Sequence, residues 1–425
     1  VTPPEPARRP PDRAFDRRYS IGKVTPMTAP AGAPVRFGVN YTPRVGWFHH
    51  WLDFSADDVA RDFDTIAELG VDHVRIFPLW PLLQPNRTLI RPGGLEDVEK
   101  GIVLADERGL DVWVDGLQGH LSSFDFVPAW LTSWHRRGFF TDPDVVASTA
   151  AYLTALARAC AGHPNLLGLT VGNEVNQFTG TVHPEPYPAS EGDVSAWLDA
   201  MLGALRTGAP DVLVLHACYD ATWYDDTQPF TPAHAANLGD MTVLHSWVFN
   251  GTAQVYGPDA FETRAHARYL TEIARAFQAD PDRPVWVQEV GAPRNVLPQA
   301  SVAPFIEATV EQLADTPQLY GITWWCSHDV SRSLADFPEL EYDLGLIDEH
   351  GTIKNEGRVL ARAMDELRRR RRESVDDADP PRLLLDPTDV SRRDLAPGGA
   401  FWERYMDIAR AGRHPRVTLA ATVEA

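Results

Sequence analysis

The sequence predicts an α/β fold, specifically a (β/α)8 TIM barrel with extended βα loops. Short β-prone runs alternate with longer amphipathic segments from Val35 to about Arg372, and each of eight such runs is followed by a helical candidate. The alternative, a doubly wound open sheet, is attractive as a nucleotide binder only with a glycine-rich phosphate turn after an early strand, and the sequence has none.

The strand candidates, in order, are Val35–Tyr41, His73–Pro78, Asp111–Asp115, Leu166–Val171, Val212–His216, Met241–Trp247, Val285–Glu289 and Tyr320–Trp325. The helical candidates are 55–69, 94–109, 143–161, 191–208, 232–238, 259–279, 301–315 and 355–372. The first helix opens on Ser55-Ala56-Asp57-Asp58, a capping-box pattern, and stops at Gly70, a natural residue just past a helix end. At 425 residues the chain exceeds the ~250 of a plain barrel. The excess falls in the loops after strands 3, 4, 5, 6 and 8. Those loops carry many aromatic residues, Phe124, Trp130 and Phe337 among them. Such rings either stack on the apolar faces of sugars or pin the loops to the barrel.

Outside the catalytic barrel of 35–373, residues 1–34 are proline-rich and read as an extended arm. Asp376 to Pro381 reads as a linker, Leu383–Leu385 as a short strand and Phe401–Ala411 as a helix. Residues 374–425 are therefore expected to form an appendage packed on the barrel rather than an independent domain.

Composition excludes several functions. The net charge of −20 argues against nucleic acid and anionic membranes as partners. The one basic run, Arg368 to Arg372, closes a predicted helix, where cations complement the helix dipole. No apolar run reaches the about 18 residues of a membrane span, and residues 1–34 hold no apolar leader core, so a cytoplasmic location is expected. Cys160, Cys218 and Cys326 lie far apart without zinc-ligand spacing and read as buried free thiols. Neighbouring side chains diverge at His49-His50, so no metal site is expected there, and no cofactor motif is present. Oligomeric state is left open.

The chemistry lies at two strand ends. Strand 4, Gly168-Leu-Thr-Val-Gly172, runs into Asn173-Glu174; strand 7 reads Pro284-Val-Trp-Val-Gln-Glu289. Each glutamate closes an apolar run at the face where barrel active sites are assembled. A buried structural Glu paired with Arg explains one such residue more readily than two. Cleavage of a glycosidic bond needs such a pair, one carboxyl protonated and one ionised. A gap of about 5–5.5 Å permits a covalent intermediate, whereas a wider gap admits a water.

On these residues the chain resembles the clan of retaining barrel hydrolases, and within it glycoside hydrolase family 5, over residues 35 to 350. The resemblance implies Glu174 as acid/base and Glu289 as nucleophile. It implies further that Arg75, in His-Val-Arg-Ile-Phe, sits near the nucleophile. Asn173 would contact the sugar 2-hydroxyl, and His245 would be the strand-6 histidine. Trp324 or Trp325 would floor the first sugar subsite. His120 is carried over as the strand-3 histidine although it lies beyond that strand candidate. One departure stands out: the family usually shows His-x-Tyr on strand 6, whereas this chain has His245-Ser246-Trp247. Trp247 offers only an N–H donor. For the proton, an arginine beside Glu289 is expected to favour its ionised form, while burial and repulsion keep Glu174 protonated.

Three strings, Phe37-Gly-Val-Asn-Tyr41, Phe77-Pro-Leu-Trp-Pro81 and Gly172-Asn-Glu-Val-Asn-Gln177, resemble the mannose-directed subfamily 18. That likeness implies exo-acting β-mannosidase activity on short oligosaccharides such as Manβ1-4GlcNAc. An endo-acting mannanase or cellulase is the nearest competitor, and a carbohydrate-binding barrel without activity is the reading outside enzymology.

Overall fold

The computed structural model describes residues 34–134, 136–180, 183–373 and 380–420. All but the last residue of the expected N-terminal arm, and most of the expected linker, lie outside the described residues. The barrel strands are β1 Arg36–Asn40, β2 His73–Ile76, β3 Asp111–Gln118, β4 Leu166–Asn173, β5 Leu213–Leu215, β6 Thr242–Ser246, β7 Val285–Val290 and β8 Leu319–Trp324. They form one sheet in the order β5-β4-β3-β2-β1-β8-β7-β6, with every neighbouring pair parallel. β5 and β6 are not paired with each other, and Asp240, two residues before β6, bonds to β5. Asp240 donates its backbone N–H to the Val214 carbonyl at 2.9 Å, and its carboxylate accepts the Val214 N–H at 2.7 Å.

Strands covered on both faces must be apolar nearly throughout, and every residue of β7 is buried. The barrel interior is filled, not hollow. Trp113 and Trp286 pack at 4.6 Å between ring centroids, and Thr323 accepts from Trp286 Nε1 at 2.9 Å and meets His73 Nε2 at 2.8 Å. Gly38 makes room for that histidine: a Cβ there would lie 2.2 Å from the imidazole. With its interior filled, the barrel can hold a site only at its mouth.

The outer helices are α1 Ala56–Glu68, α2 Pro92–Asp106, α3 Pro143–Cys160, α4 Glu191–Gly208, α5 Pro232–Asn237, α6 Phe261–Ala276, α7 Gln299–Leu313 and α8 Asn355–Glu373. Ser55 caps α1 by accepting the Asp58 N–H, and Gly70 follows the helix at φ 72°. α2 starts two residues earlier than expected because Pro92 presets the helical φ at its first turn. Short helices at Trp47–Leu52, Trp80–Leu83 and Ala221–Tyr224 were not expected; they are too brief for a periodic pattern to register. No described helix is long and apolar enough to cross a membrane.

Beyond α8, β9 Arg382–Leu385 pairs in parallel with β10 Arg416–Leu419, with α9 Ala400–Arg410 between them. This unit packs on α6. Trp402 of α9 is fully buried with its ring 4.4 Å from that of Tyr269, and the Tyr269 hydroxyl donates to the Leu395 carbonyl at 2.7 Å.

Candidate active site

Glu174 directly follows β4 at φ 47°, in the left-handed region, where it ends the strand and opens the turn Val175–Thr179. For a non-glycine residue this conformation costs of order 1–3 kcal/mol and persists only where surrounding contacts hold it. Those contacts are two hydrogen bonds on its carboxylate: Oε1 accepts from His245 Nδ1 and Oε2 from Gln177 Nε2, each at 2.7 Å. Glu289 lies within β7, in register with His245 of β6. Both glutamates are buried.

Arg75 organises the floor. Its fully buried guanidinium donates to Asp115 at 2.6 Å, Glu289 Oε1 at 2.8 Å, Asn40 at 3.1 Å and Asn173 Oδ1 at 2.7 Å. A planar fork of five N–H groups can meet four acceptors in this way, which the single ammonium of a lysine cannot reproduce. Burial pushes Asp115 up to about 6 against the pull of Arg75. The Asn173 amide nitrogen also donates to the His120 carbonyl at 2.7 Å, which leaves one of its two hydrogens for a ligand.

Of the two tryptophan candidates, Trp325 is the one at the mouth. Its ring lies 5.7 Å from Phe77 and 6.4 Å from Trp247. Trp324 is corrected: its side chain faces the helix layer, lining a small cavity with Val302 and Ile306 of α7. Side chains alternate along a strand, and Thr323 already points into the barrel. Trp247 takes up the departure on strand 6, its Nε1 donating to Glu289 Oε2 at 3.2 Å. His120 lies two residues past β3 on a hairpin, with Nδ1 3.2 Å from Asp125. Burial would depress this histidine, but the Asp125 bond and the charges of Glu174 and Asp125 outweigh it and raise its pKa.

The electrostatics of the two glutamates turn on His245 between them, whose Nδ1 lies 2.7 Å from Glu174 Oε1 and 3.4 Å from Glu289 Oε2. Burial pushes Glu174 up, but the His245 bond and charge outweigh it and hold the carboxyl below the usual range. Glu289 is raised by burial and by repulsion from Glu174, despite His245 and Arg75. His245 is the cause. Its Nδ1 meets Glu174, and its Nε2 lies 3.0 Å from Gln288 Oε1, so both ring nitrogens face acceptors. Burial alone would lower its pKa, but the two glutamates raise it. Transfer of one proton along the 2.7 Å bond from Nδ1 to Oε1 leaves a neutral imidazole and a protonated Glu174. That shift also removes the negative charge that raises Glu289, so protonating one carboxyl favours ionisation of the other.

One wall of the mouth is aromatic. Trp47 lies 5.4 Å from Phe124, 5.7 Å from Phe126 and 4.7 Å from Phe337, which joins the loops after β1, β3 and β8. Among the described residues, Glu174, His245 and Glu289 are the histidine and carboxylates close enough to hold a metal, their ligand atoms within 4.8 Å of one another. Both imidazole nitrogens are engaged, so no free lone pair faces an ion while those bonds stand.

Asn40, Asp115, Gln177 and Gln288 were not picked out from sequence. Gln288 adjoins a named residue and Asn40 ends a strand, but neither position alone signals a site.

A filled parallel barrel with two carboxylates facing each other at its mouth, closer than the gap that would admit a water, has the build of a retaining glycoside hydrolase site. No protein-family model and no curated protein sequence matches the chain. Solved structures do. A Glu-to-Ala variant of the glycoside hydrolase family 5 subfamily 18 protein from Streptomyces cattleya, in complex with Manβ1-4GlcNAc, is 53% identical with a TM-score of 0.88, covering 92% of this chain and 95% of that one. The subfamily 18 protein from Bifidobacterium longum subsp. infantis is 46% identical with a TM-score of 0.87 and 92% coverage of both chains. A variant from Bifidobacterium longum subsp. longum, also in complex with Manβ1-4GlcNAc, is 44% identical with a TM-score of 0.85 and 91% coverage of both. The chain belongs to glycoside hydrolase family 5, subfamily 18.

Proposed function

We propose that this protein is a retaining exo-β-mannosidase that releases single mannose units from short oligosaccharides such as Manβ1-4GlcNAc. In this reading Glu174 is the acid/base and Glu289 the nucleophile. The observation that carries it is that one oxygen of each carboxylate lies within 4.8 Å of the other, an approach that suits the short carboxyl gap of a double displacement, about 5–5.5 Å, better than the wider gap that admits a water. Glu289 Oε attacks the anomeric carbon while the bond to the leaving oxygen breaks, and that oxygen takes the proton from Glu174. A glycosyl-enzyme remains. Glu174, now a carboxylate, takes a proton from water, whose oxygen attacks the anomeric carbon and frees Glu289.

Arg75 and Trp247 place donors on both Glu289 oxygens, which fixes the direction of attack. Trp325 offers an apolar floor, and the remaining Asn173 amide hydrogen suits a sugar hydroxyl. Subfamily 18 relatives that hold Manβ1-4GlcNAc support the mannose reading. The aromatic wall of Trp47, Phe124 and Phe337 supports exo action, because an endo-acting enzyme needs a groove open at both ends. A cytoplasmic location fits the three buried free thiols, which suit a reducing compartment. A panel of aryl β-mannoside, glucoside, galactoside and xyloside tests the reading. Turnover of the mannoside is expected. Turnover of the glucoside with none of the mannoside overturns the sugar assignment, products longer than one sugar overturn the exo part, and inactivity on all leaves a binding protein.

A further inference from the structure

Resting on the reading that Glu174 and Glu289 are the catalytic pair, we propose that His266 is a positioning residue. It holds the unpaired edge of β6 and, through Ser246, sets the places of His245 and Trp247.

β5 and β6 are the two ends of the sheet order, so β6 has a strand partner, β7, on one side only. A strand edge without a partner has no ladder bonds to fix it laterally. Yet two groups that touch the glutamates hang from the end of this strand. His245 bonds Glu174 at 2.7 Å, and Trp247, directly after β6, donates to Glu289 at 3.2 Å. Ser246 lies between them in sequence. Side chains alternate along a strand, so Ser246 points away from the mouth, into the helix layer. There its Oγ meets Nδ1 of His266, on α6, at 2.8 Å. The other ring nitrogen, Nε2, lies 3.3 Å from the hydroxyl of Tyr224, which ends the short helix Ala221–Tyr224 after β5. One imidazole thus joins the end of β6 to the segment that follows β5, across the break in the sheet. At the opposite end of the same break, Asp240 bonds Val214 of β5.

The ring suits this task. His266 is 1% exposed, and burial depresses it to about 3, so it stays neutral. A neutral imidazole has one donor and one acceptor nitrogen, and both of its partners are hydroxyls, which can answer either role. The bridge therefore adds no charge beside the glutamates. An apolar ring would fill the same space but leave the buried Ser246 hydroxyl without this partner. The imidazole is itself backed by Trp402 of the C-terminal unit, whose ring lies 5.8 Å from it and stacks on Tyr256 at 6.1 Å. The C-terminal unit thereby supports the strand that carries His245, and not the outer helices alone.

The test is a double-mutant cycle in kcat on whichever aryl glycoside the wild type cleaves, with urea unfolding measured alongside. His266→Phe keeps a ring and loses both bonds, and Ser246→Ala loses the one they share. Each should lower kcat by roughly 10–100-fold, because a small shift of His245 and Trp247 misaligns the two carboxylates. KM should change little, since the displaced groups act on the carboxylates in the transition state. The double variant should be no slower than His266→Phe alone. A histidine with a merely structural role would lower the urea midpoint and leave the kcat of the folded enzyme unchanged. That result, or losses that multiply in the double variant, overturns the proposal. If His266→Phe does not fold, Tyr224→Phe takes its place in the cycle. It should then lower kcat only where Ser246 is present, and an equal loss in the Ser246→Ala background overturns the proposal. A wild type that cleaves no aryl glycoside overturns the catalytic reading and this proposal together. A wild type that cleaves one, with kcat unmoved by these substitutions, overturns this proposal alone.

Discussion

The floor of the mouth and its wall are built on different principles. The floor hangs from strand ends: Arg75 in β2, Asp115 in β3, Asn173 ending β4, His245 in β6 and Glu289 in β7, joined by hydrogen bonds of 2.6 to 2.8 Å. The wall hangs from loops after β1, β3 and β8 and is joined by ring contacts of 4.7 to 5.7 Å. A directional network on a rigid sheet suits bond cleavage, where small displacements are costly. Apolar contacts between loops set the shape of a pocket and can vary without disturbing that network.

The largest contrast should come from the arginines. Arg75→Met leaves Asp115 and Glu289 buried without their cation and should destabilise the fold by about 3–5 kcal/mol in urea unfolding, with activity lost. Arg136→Ala, on the rim opposite exposed Glu185, should cost no more than about 1 kcal/mol. Equal costs would erase the distinction between floor and rim. A smaller effect is expected at Trp247. Trp247→Phe removes one hydrogen bond to the Glu289 carboxylate and should lower kcat/KM roughly 10–100-fold with the fold intact. An unchanged rate would mean that this N–H does not hold the nucleophile.

Smaller again is an acid effect from histidines buried in and around the barrel. Burial depresses His73 to about 3 and His216 to about 4, so each stays neutral in the folded chain while it protonates in the unfolded one below its ordinary value of 6.5. The unfolded state then binds more protons, so the stability these residues contribute is full above pH 6.5 and falls as pH drops toward 3. His73→Gln should flatten that slope, and an unchanged slope would place the acid sensitivity elsewhere. The smallest expected effect is none: overnight EDTA should leave the rate unchanged, and a loss restored by one divalent metal would reassign Glu174, His245 and Glu289 as ligands.

The same division explains what could be read from sequence. Glu174, Glu289, Arg75 and His245 were visible because each sits in or just after an apolar run, so residue type and strand position coincide. Asp115 and Asn40 were not, since their roles depend on Arg75 reaching across neighbouring strands. Trp324 shows the cost of a small error in position: adjacent strand residues face opposite sides, so two neighbouring tryptophans had to be separated by the fold. The electrostatic coupling of the two glutamates was hidden for a related reason. It turns on His245 Nδ1 lying between both carboxylates, and no spacing encodes that. The strand β10 is a short segment, where hydrophobic periodicity carries little signal.

The most direct test of the two glutamate roles uses azide with a dinitrophenyl glycoside. Glu174→Ala loses proton assistance and base catalysis, roughly a 10²–10⁴-fold contribution, but this leaving group needs little protonation. The glycosyl-enzyme should therefore accumulate, and azide, which needs no base, should restore turnover and yield the β-glycosyl azide of retained configuration. Glu289→Ala forms no glycosyl-enzyme, so azide can enter only from the opposite face and give the α product. Formation of the β-azide by Glu289→Ala and the α-azide by Glu174→Ala would reverse the assignment. A loss of less than about tenfold in both variants, against the magnitude expected of acid–base catalysis, would contradict the active site itself.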